Sequence, residues 1–261
     1  MSITPMAGLF LRVAFGFFAV FSVGVSEAQE YPKDLPDLIR KAKPSVVLVG
    51  TFGDLDSPRF TFRGTGFVVG DGRRIITNAH VLPEFESAKS RFLVVQHKNY
   101  AGDWRPRRVE RVVSDKTNDL AVLDIEGPPL QALSLKSGEV AEGTSVAFMG
   151  FPIGGALGFS HVTHRATISA LTPVALPAPT GSTLSARNIA QLRTGAFKIM
   201  QLDGTAYPGN SGGPVFEIST GEVVGVINMV LLKSTKESAL SHPSGISYAI
   251  PVDAVQRMLM P

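Results

Sequence analysis

The chain has 261 residues, of which 44% are hydrophobic and 18% charged, with a formal net charge of +3. That length suits one domain or two small, closely packed ones, with enough apolar residue to fill a sizeable core. So weak a charge implies no strong field for nucleic acid, and the absence of cysteine excludes thiol catalysis and Cys-ligated zinc or iron–sulfur sites.

The first residues read as a targeting segment. Arg12 precedes an apolar run from Val13 to Val25, and Ser26-Glu27-Ala28 offers small residues of the kind a signal peptidase reads. The run falls short of the roughly 20 residues a spanning helix needs. Residues 1–28 are therefore expected to be a signal peptide cleaved after Ala28, with an uncleaved anchor as the alternative. No stable membrane insertion is expected after cleavage, because no later segment is long and apolar enough to span. Export without cysteine points to a bacterial envelope protein, periplasmic or secreted, since exported animal domains usually carry disulfides.

Beyond this segment, Leu35, Leu38, Ile39 and Ala42 recur at helical spacing and Pro44 closes the run, which predicts a short amphipathic helix from Asp34 to Ala42. Short apolar or alternating runs follow at Val46–Phe52, Phe60–Val69, Arg74–Thr77, Phe92–Gln96, Val109–Val113 and Leu120–Ile125, punctuated by Gly, Asp, Pro and Asn. Arg105-Pro106-Arg107-Arg108 reads as a solvated loop or strand end. Gly127-Pro128-Pro129 marks a break. A second set runs through Ser145–Met149, His161–Leu171, Phe197–Gln201, Val215–Glu217, Val223–Met229 and Ile246–Ile250, and an amphipathic helix from Val252 to Met260 closes the chain. The pattern predicts an all-β fold of two six-stranded antiparallel β-barrels. Residues 29–130 would form the N-terminal segment and first barrel, and residues 131–261 the second barrel and C-terminal helix. Thr172 to Thr194, with prolines and many Ser and Thr, is too long for an ordinary connection. A regulatory, substrate-facing loop and a tolerated insertion are both open for it.

The chemistry is concentrated in three short motifs. Gly209-Asn210-Ser211-Gly212-Gly213-Pro214 is built like a serine nucleophile in its own oxyanion hole. Small residues on both sides of Ser211 let the backbone turn sharply and a substrate carbonyl approach. The amides of Gly209 and Ser211, with Asn210 between them, can then converge on a developing oxyanion. Upstream, Thr77-Asn78-Ala79-His80-Val81 places a base directly after the apolar pair Ile75-Ile76. Asn118-Asp119-Leu120-Ala121-Val122-Leu123 places an acid at the mouth of a strand-like run. The order His80, Asp119, Ser211 is one of the known orders of a Ser–His–Asp triad. Each motif alone has an ordinary structural explanation as a turn or a packing residue; the set in one order does not.

With Gly64-Thr65-Gly66-Phe67, Gly150-Phe151-Pro152, Gln201-Leu202-Asp203 and Gly245-Ile246-Ser247-Tyr248-Ala249-Ile250-Pro251, these motifs make the chain resemble a chymotrypsin-fold serine protease. Specifically, it looks like the protease domain of the HtrA (Deg) type, over roughly residues 35 to 258. The resemblance implies catalysis in a cleft between two barrels, with His80 and Asp119 on the first and Ser211 on the second. It implies hydrolysis of protein or peptide substrates, in unfolded or extended segments, with no cofactor and no metal. Thr205 would lie at the base of the primary pocket. It cannot neutralise Lys or Arg, so cleavage after small or medium apolar residues is expected. Ala206, Met229, Leu231 and Ile246 would form the pocket wall. The edge Ile227–Val230, including Asn228 and Met229, would pair with extended substrate by strand addition.

Two departures from relatives matter. Asn210 stands where digestive proteases carry an Asp that pairs with a freed N-terminus, so activation by propeptide cleavage is not expected, and ordering of loops by substrate is the more natural control. Only a terminal helix follows Pro251, so the PDZ modules usual in HtrA proteins are not expected, and trimer formation and stress-sensing are not carried over; the oligomeric state is left open. The remaining histidines read as structural. His161 and His164 would face opposite ways on a strand, His97 and His242 sit in turn-rich segments, and Trp104 reads as a packing residue. Two rival functions stay open: a catalytically silent or gated binding protein of chaperone-like character, and an esterase-like or narrow processing enzyme.

Overall fold

A computed structural model describes residues 32, 34–83, 91–99, 101–154, 158–174, 197–228 and 245–260. The expected signal peptide, most of the Thr172 to Thr194 loop, Met229, Leu231 and His242 lie outside the described residues.

Helix α1 (Leu35–Ala42) starts where the sequence places it, at Asp34, whose carboxylate accepts from the Asp37 N–H at 2.9 Å. This satisfies one of the unpaired amides of the first turn. Leu38 and Ala42 are its buried face. A 3₁₀ turn at Lys43–Ser45 leads into the first barrel, made of β1 (Val46–Gly53), β2 (Phe60–Val69), β3 (Arg74–Thr77), β4 (Arg91–Lys98), β5 (Trp104–Asp115) and β6 (Leu120–Ile125). These close in the order β1-β2-β3-β6-β5-β4, every pairing antiparallel. The second barrel is made of β7 (Ser145–Gly150), β8 (Val162–Val174), β9 (Phe197–Leu202), β10 (Pro214–Glu217), β11 (Val223–Asn228) and β12 (Ser247–Pro251). It closes in the order β10-β11-β12-β9-β8-β7, again antiparallel. Helix α2 (Val252–Leu259) follows directly. The described residues thus form an all-β double barrel preceded by one short helix and followed by another, as the two sets of six runs predicted.

Two expectations need correction. Strand β5 begins at Trp104, not Val109: the basic run Arg105-Pro106-Arg107-Arg108 is not a loop but the solvated start of the strand, with Arg105, Pro106 and Arg108 exposed, and it pairs with β4, Arg108 opposite Val94 and Pro106 opposite Gln96. Arg107 explains how so polar a stretch is held, because its guanidinium donates to the carbonyls of Glu126 at 3.0 Å and Pro128 at 2.8 Å. Tertiary anchoring outweighs the weak strand preference of a proline-containing basic segment. For the same reason His97 lies in β4, half-buried, and not in an exposed turn.

The core has three parts. One fills the first barrel, around Val47, Val49, Ile75, Leu93 and Leu123. A second fills the other barrel, around Phe148, Ile168, Met200, Leu202 and Val224. A third draws on both barrels and both helices, joining Phe67 and Leu120 to Phe151 and Phe216, with Leu38 and Val255 from the helices. This last cluster docks the barrels together.

Candidate active site

His80 is positioned by what precedes it. The buried strand β3 delivers Thr77 and Asn78, both fully buried, and a 3₁₀ turn over Ala79–Val81 then lifts His80 to the surface. Asp119 sits just before β6 with φ +50, a left-handed conformation that an Asp tolerates better than most residues. Its carbonyl accepts from Asn78 Nδ2 at 3.0 Å and from the Ala79 N–H at 3.2 Å. Its carboxylate Oδ1 accepts from the His80 N–H at 2.9 Å, and Oδ2 lies 2.6 Å from His80 Nδ1. A carboxylate only accepts, so Nδ1 carries the proton and Nε2 is left as the acceptor. A third donor arrives from the second barrel: Asn228 Nδ2 donates to the same Oδ2 at 2.8 Å.

Strand β2 supports the histidine turn from the other side. Between β1 and β2 the register slips, Val49 pairing with Gly64 and Gly50 with Phe62, so Arg63 is the extra residue of a bulge. Bulges re-aim side chains. Here Arg63 Nε donates to Val81 O at 2.6 Å and Nη2 to Leu82 O at 3.2 Å, holding the end of the turn that carries His80. Gly64 permits the close approach, since a Cβ there would lie 2.7 Å from a Val81 methyl.

On the second barrel, the four carbonyls from Pro208 to Ser211 are each pinned. Pro208 O accepts from the Ile153 N–H at 2.6 Å, Gly209 O from Thr65 Oγ1 at 2.7 Å, Asn210 O from the Gly213 N–H at 2.9 Å, and Ser211 O from the Thr65 N–H at 2.9 Å. In a trans peptide the N–H opposes the C=O, so fixing each carbonyl also aims the next amide. Asn210 N–H donates to Tyr207 O at 3.0 Å. The amides of Gly209 and Ser211 donate to nothing among the described residues. Gly209 has φ +106, and a Cβ there would meet Phe151 O at 2.2 Å, so only glycine fits. Ile153, a β-branched residue at φ +60, holds its anchor in a strained conformation, a cost of about 1–3 kcal/mol that such positions concentrate near function. The Asn210 carboxamide is buried and unpaired; a carboxylate there would be an unpaired buried charge. Ser211 Oγ and His80 Nε2 share no hydrogen bond. Such contacts are often long before substrate binds and tighten in the complex.

The expected substrate residues fall differently. Thr205 and Ile246 are partly exposed. Ala206 is buried in the second-barrel core, with its N–H donated to Ser247 Oγ at 2.7 Å. Ile227 is buried there too, and its N–H and C=O are taken by Gly213 and Gly212, each at 2.9 Å. It therefore offers neither side chain nor backbone to a substrate. Asn228, only 2% exposed, turns its side chain to Asp119 instead of the cleft. Thr65, Arg63 and Ile153 carried no assigned role in the sequence; a threonine set between two glycines is the one visible signal among them.

The other histidines serve packing. His161 Nε2 donates to Val46 O at 2.9 Å, and its ring lies 4.6 Å from Phe151 and 5.8 Å from Trp104; burial lowers its pKa to about 4. His164 stacks on Phe148 at 4.8 Å, and burial holds its pKa below the usual imidazole value. His97 is held low by burial and then by Arg107, whose Nε donates to His97 Nε2 at 3.3 Å. Among the described residues, no group of three His, Asp or Glu is placed to hold a metal, and no helix is long and apolar enough to cross a membrane.

Comparison with known proteins follows the same lines. The model of the trypsin-like peptidase domain matches residues 64–226, a stretch containing His80, Asp119 and Ser211. The chain is 31% identical over 191 residues to a probable periplasmic serine endoprotease, DegP-like, of Hahella chejuensis, covering 73% of this chain and 33% of that protein. It is 32% identical over 197 residues to the mitochondrial serine protease HTRA2 of Drosophila grimshawi, covering 75% and 38%. It thus spans between 33% and 38% of the length of these relatives. Among solved structures, that of Deg5 superposes with a TM-score of 0.59 at 26% identity, over 85% of this chain and 90% of that one. Double barrel, matched motifs and family model agree: the chain belongs to the trypsin-like peptidase domain family and is similar to the protease portion of Deg and HtrA proteins.

Proposed function

We propose that this chain is a serine endopeptidase that cleaves protein substrates through an acyl-enzyme on Ser211. The observation that carries the reading is the pairing of His80 Nδ1 with Asp119, together with a serine loop whose Gly209 and Ser211 amides donate to nothing among the described residues. A serine hydroxyl is a weak nucleophile at neutral pH and needs a base. His80 Nε2 takes the Ser211 proton as Oγ attacks the scissile carbonyl, and later gives it to the departing amine. Asp119 keeps the proton on Nδ1 and stabilises the imidazolium without being protonated. The two free amides receive the oxyanion; losing one such donor costs about 100- to 1,000-fold in rate. Water, deprotonated by His80, then releases the acyl group and restores Ser211.

Unfolded or extended protein segments are the substrates, with cleavage after small or medium apolar residues, because Thr205 brings no charge to the pocket. The bacterial envelope is the site of action. The leader-like residues 1–28 and the periplasmic DegP-like relatives support this, although HTRA2 relatives are mitochondrial.

A fluorophosphonate probe tests the reading on purified protein, beside Ser211→Ala and His80→Ala. Labelling of the native chain alone, together with casein cleavage, supports it. Labelling that appears only when casein is added indicates a substrate-gated protease. Silence in both conditions would favour the binding protein.

A further inference from the structure

We propose that Thr65 is a positioning residue whose hydroxyl holds the oxyanion hole open from across the barrel boundary; this rests on the acyl-enzyme reading of Ser211. Thr65 belongs to β2 of the first barrel, and the loop it holds belongs to the second. Its side chain is fully buried. Oγ1 donates to Gly209 O at 2.7 Å and accepts from the Phe151 N–H at 3.2 Å. Its N–H donates to Ser211 O at 2.9 Å, and its C=O accepts from Thr77 Oγ1 at 2.7 Å, three residues before His80. Every polar atom of Thr65 is therefore spent on the surroundings of Ser211 or His80.

The hydroxyl matters most because of what it fixes. Of the four pinned carbonyls, Gly209 O is the one held by a side chain; the other three are held by backbone amides. Gly209 has no Cβ to restrict its torsions, so its orientation depends on that bond. Gly209 O shares its peptide plane with the Asn210 N–H, and that plane lies between the two peptides that carry the Gly209 and Ser211 amides. Without the bond it turns, and the torsions on either side of it re-aim both oxyanion donors. Phe151 N–H loses its acceptor in the same step, which loosens the segment leading to the Ile153 anchor. The substrate's ground-state contacts are untouched, so the loss appears in the transition state and not in binding.

The test compares Thr65→Ser, Thr65→Ala and Thr65→Val in the full chain. Active sites are counted by fluorophosphonate labelling of Ser211, and kcat and KM are measured on an internally quenched peptide taken from a casein cleavage site. Thr65→Val and Thr65→Ala are expected to lose roughly 10- to 100-fold in kcat per labelled site, with KM within about twofold. Thr65→Ser is expected to keep most of the native kcat. Should Thr65→Val fail to fold, Ser and Ala still differ by the hydroxyl alone. Native kcat per labelled site in Thr65→Ala, a raised KM with kcat unchanged, or a Thr65→Ser variant as slow as Thr65→Ala overturns the proposal while leaving the acyl-enzyme reading intact. Absence of Ser211 labelling in the native chain both with and without casein overturns both.

Discussion

Replacing Asp119 by asparagine probes the base most directly, because the site presents three donors to one carboxylate. Oδ1 accepts from the His80 N–H, and Oδ2 accepts from both His80 Nδ1 and Asn228 Nδ2. A carboxamide has only one oxygen. Placed at the Oδ2 position, it sets its NH₂ against the His80 amide, two donors facing each other at a cost of about 1–3 kcal/mol. Placed at the Oδ1 position, its NH₂ meets Nδ1, the imidazole proton moves to Nε2, and the ring can no longer accept from Ser211. The second arrangement wins, because it keeps an oxygen on the His80 N–H and gives the new NH₂ an acceptor at Nδ1. Returning to the productive tautomer therefore costs about 1–3 kcal/mol. Removing the carboxylate charge beside the forming imidazolium loses about 4 kcal/mol at an effective dielectric near 20. The sum, about 5–7 kcal/mol, corresponds to a kcat lowered about 10⁴-fold or more, as found for this substitution in Ser–His–Asp enzymes. The assay is kcat on a casein-derived peptide at neutral pH, normalised to folded protein by circular dichroism. A loss below about 100-fold in a folded variant would refute the assignment of Asp119 as the orienting acid.

Three further outcomes follow from the same geometry. Asn228→Ala removes a buried donor to a carboxylate, worth about 1.5–3 kcal/mol, and is expected to slow kcat roughly 10- to 100-fold with Ser211 still present for titration; unchanged kcat would show that the two remaining donors suffice. Arg63→Met releases the carbonyls of Val81 and Leu82, and because Arg63 is solvent-exposed the expected loss in kcat/KM is only about tenfold. Arg63→Lys should recover part of that loss; equal activity in all three forms argues against a role in holding the His80 turn. His161 has a folded pKa of about 4 against 6.5 in the unfolded chain. The unfolded state therefore takes up the proton first, and the contribution present above pH 6.5 is lost progressively as pH falls to 4. About 3 kcal/mol is at stake, so the Tm of His161→Phe should fall less steeply over that window than the native Tm, and parallel slopes would count against it.

Strand placement was legible because each barrel strand alternates or runs apolar between Gly, Asn, Asp and Pro. It failed at Trp104–Val109, where the signal is local but the cause is remote: Arg107 reaches carbonyls 19 and 21 residues away. The motifs around His80, Asp119 and Ser211 were legible because small and polar residues flank each one. Their supports were not. Thr65 and Gly209 are 144 positions apart, and Asn228 and Asp119 are 109 apart, so no periodicity or spacing links them. Ile227 and Asn228 were assigned to substrate because an edge strand and a buried strand share the same apolar pattern. Only the ladder reveals that Gly212 and Gly213 already occupy Ile227.

The third apolar cluster governs when the chain becomes dangerous. His80 and Asp119 stand on one barrel and Ser211 on the other, so neither barrel alone carries all three. The site comes into being only when Phe67 and Leu120 close on Phe151 and Phe216 and the helices seal the seam with Leu38 and Val255. Because α2 follows β12 directly, its Val255 reaches the seam from the strand that closes beside β11 and β9. Parting Phe67 and Leu120 from Phe151 and Phe216 would separate the His80–Asp119 pair from Ser211 while each barrel kept its own apolar core.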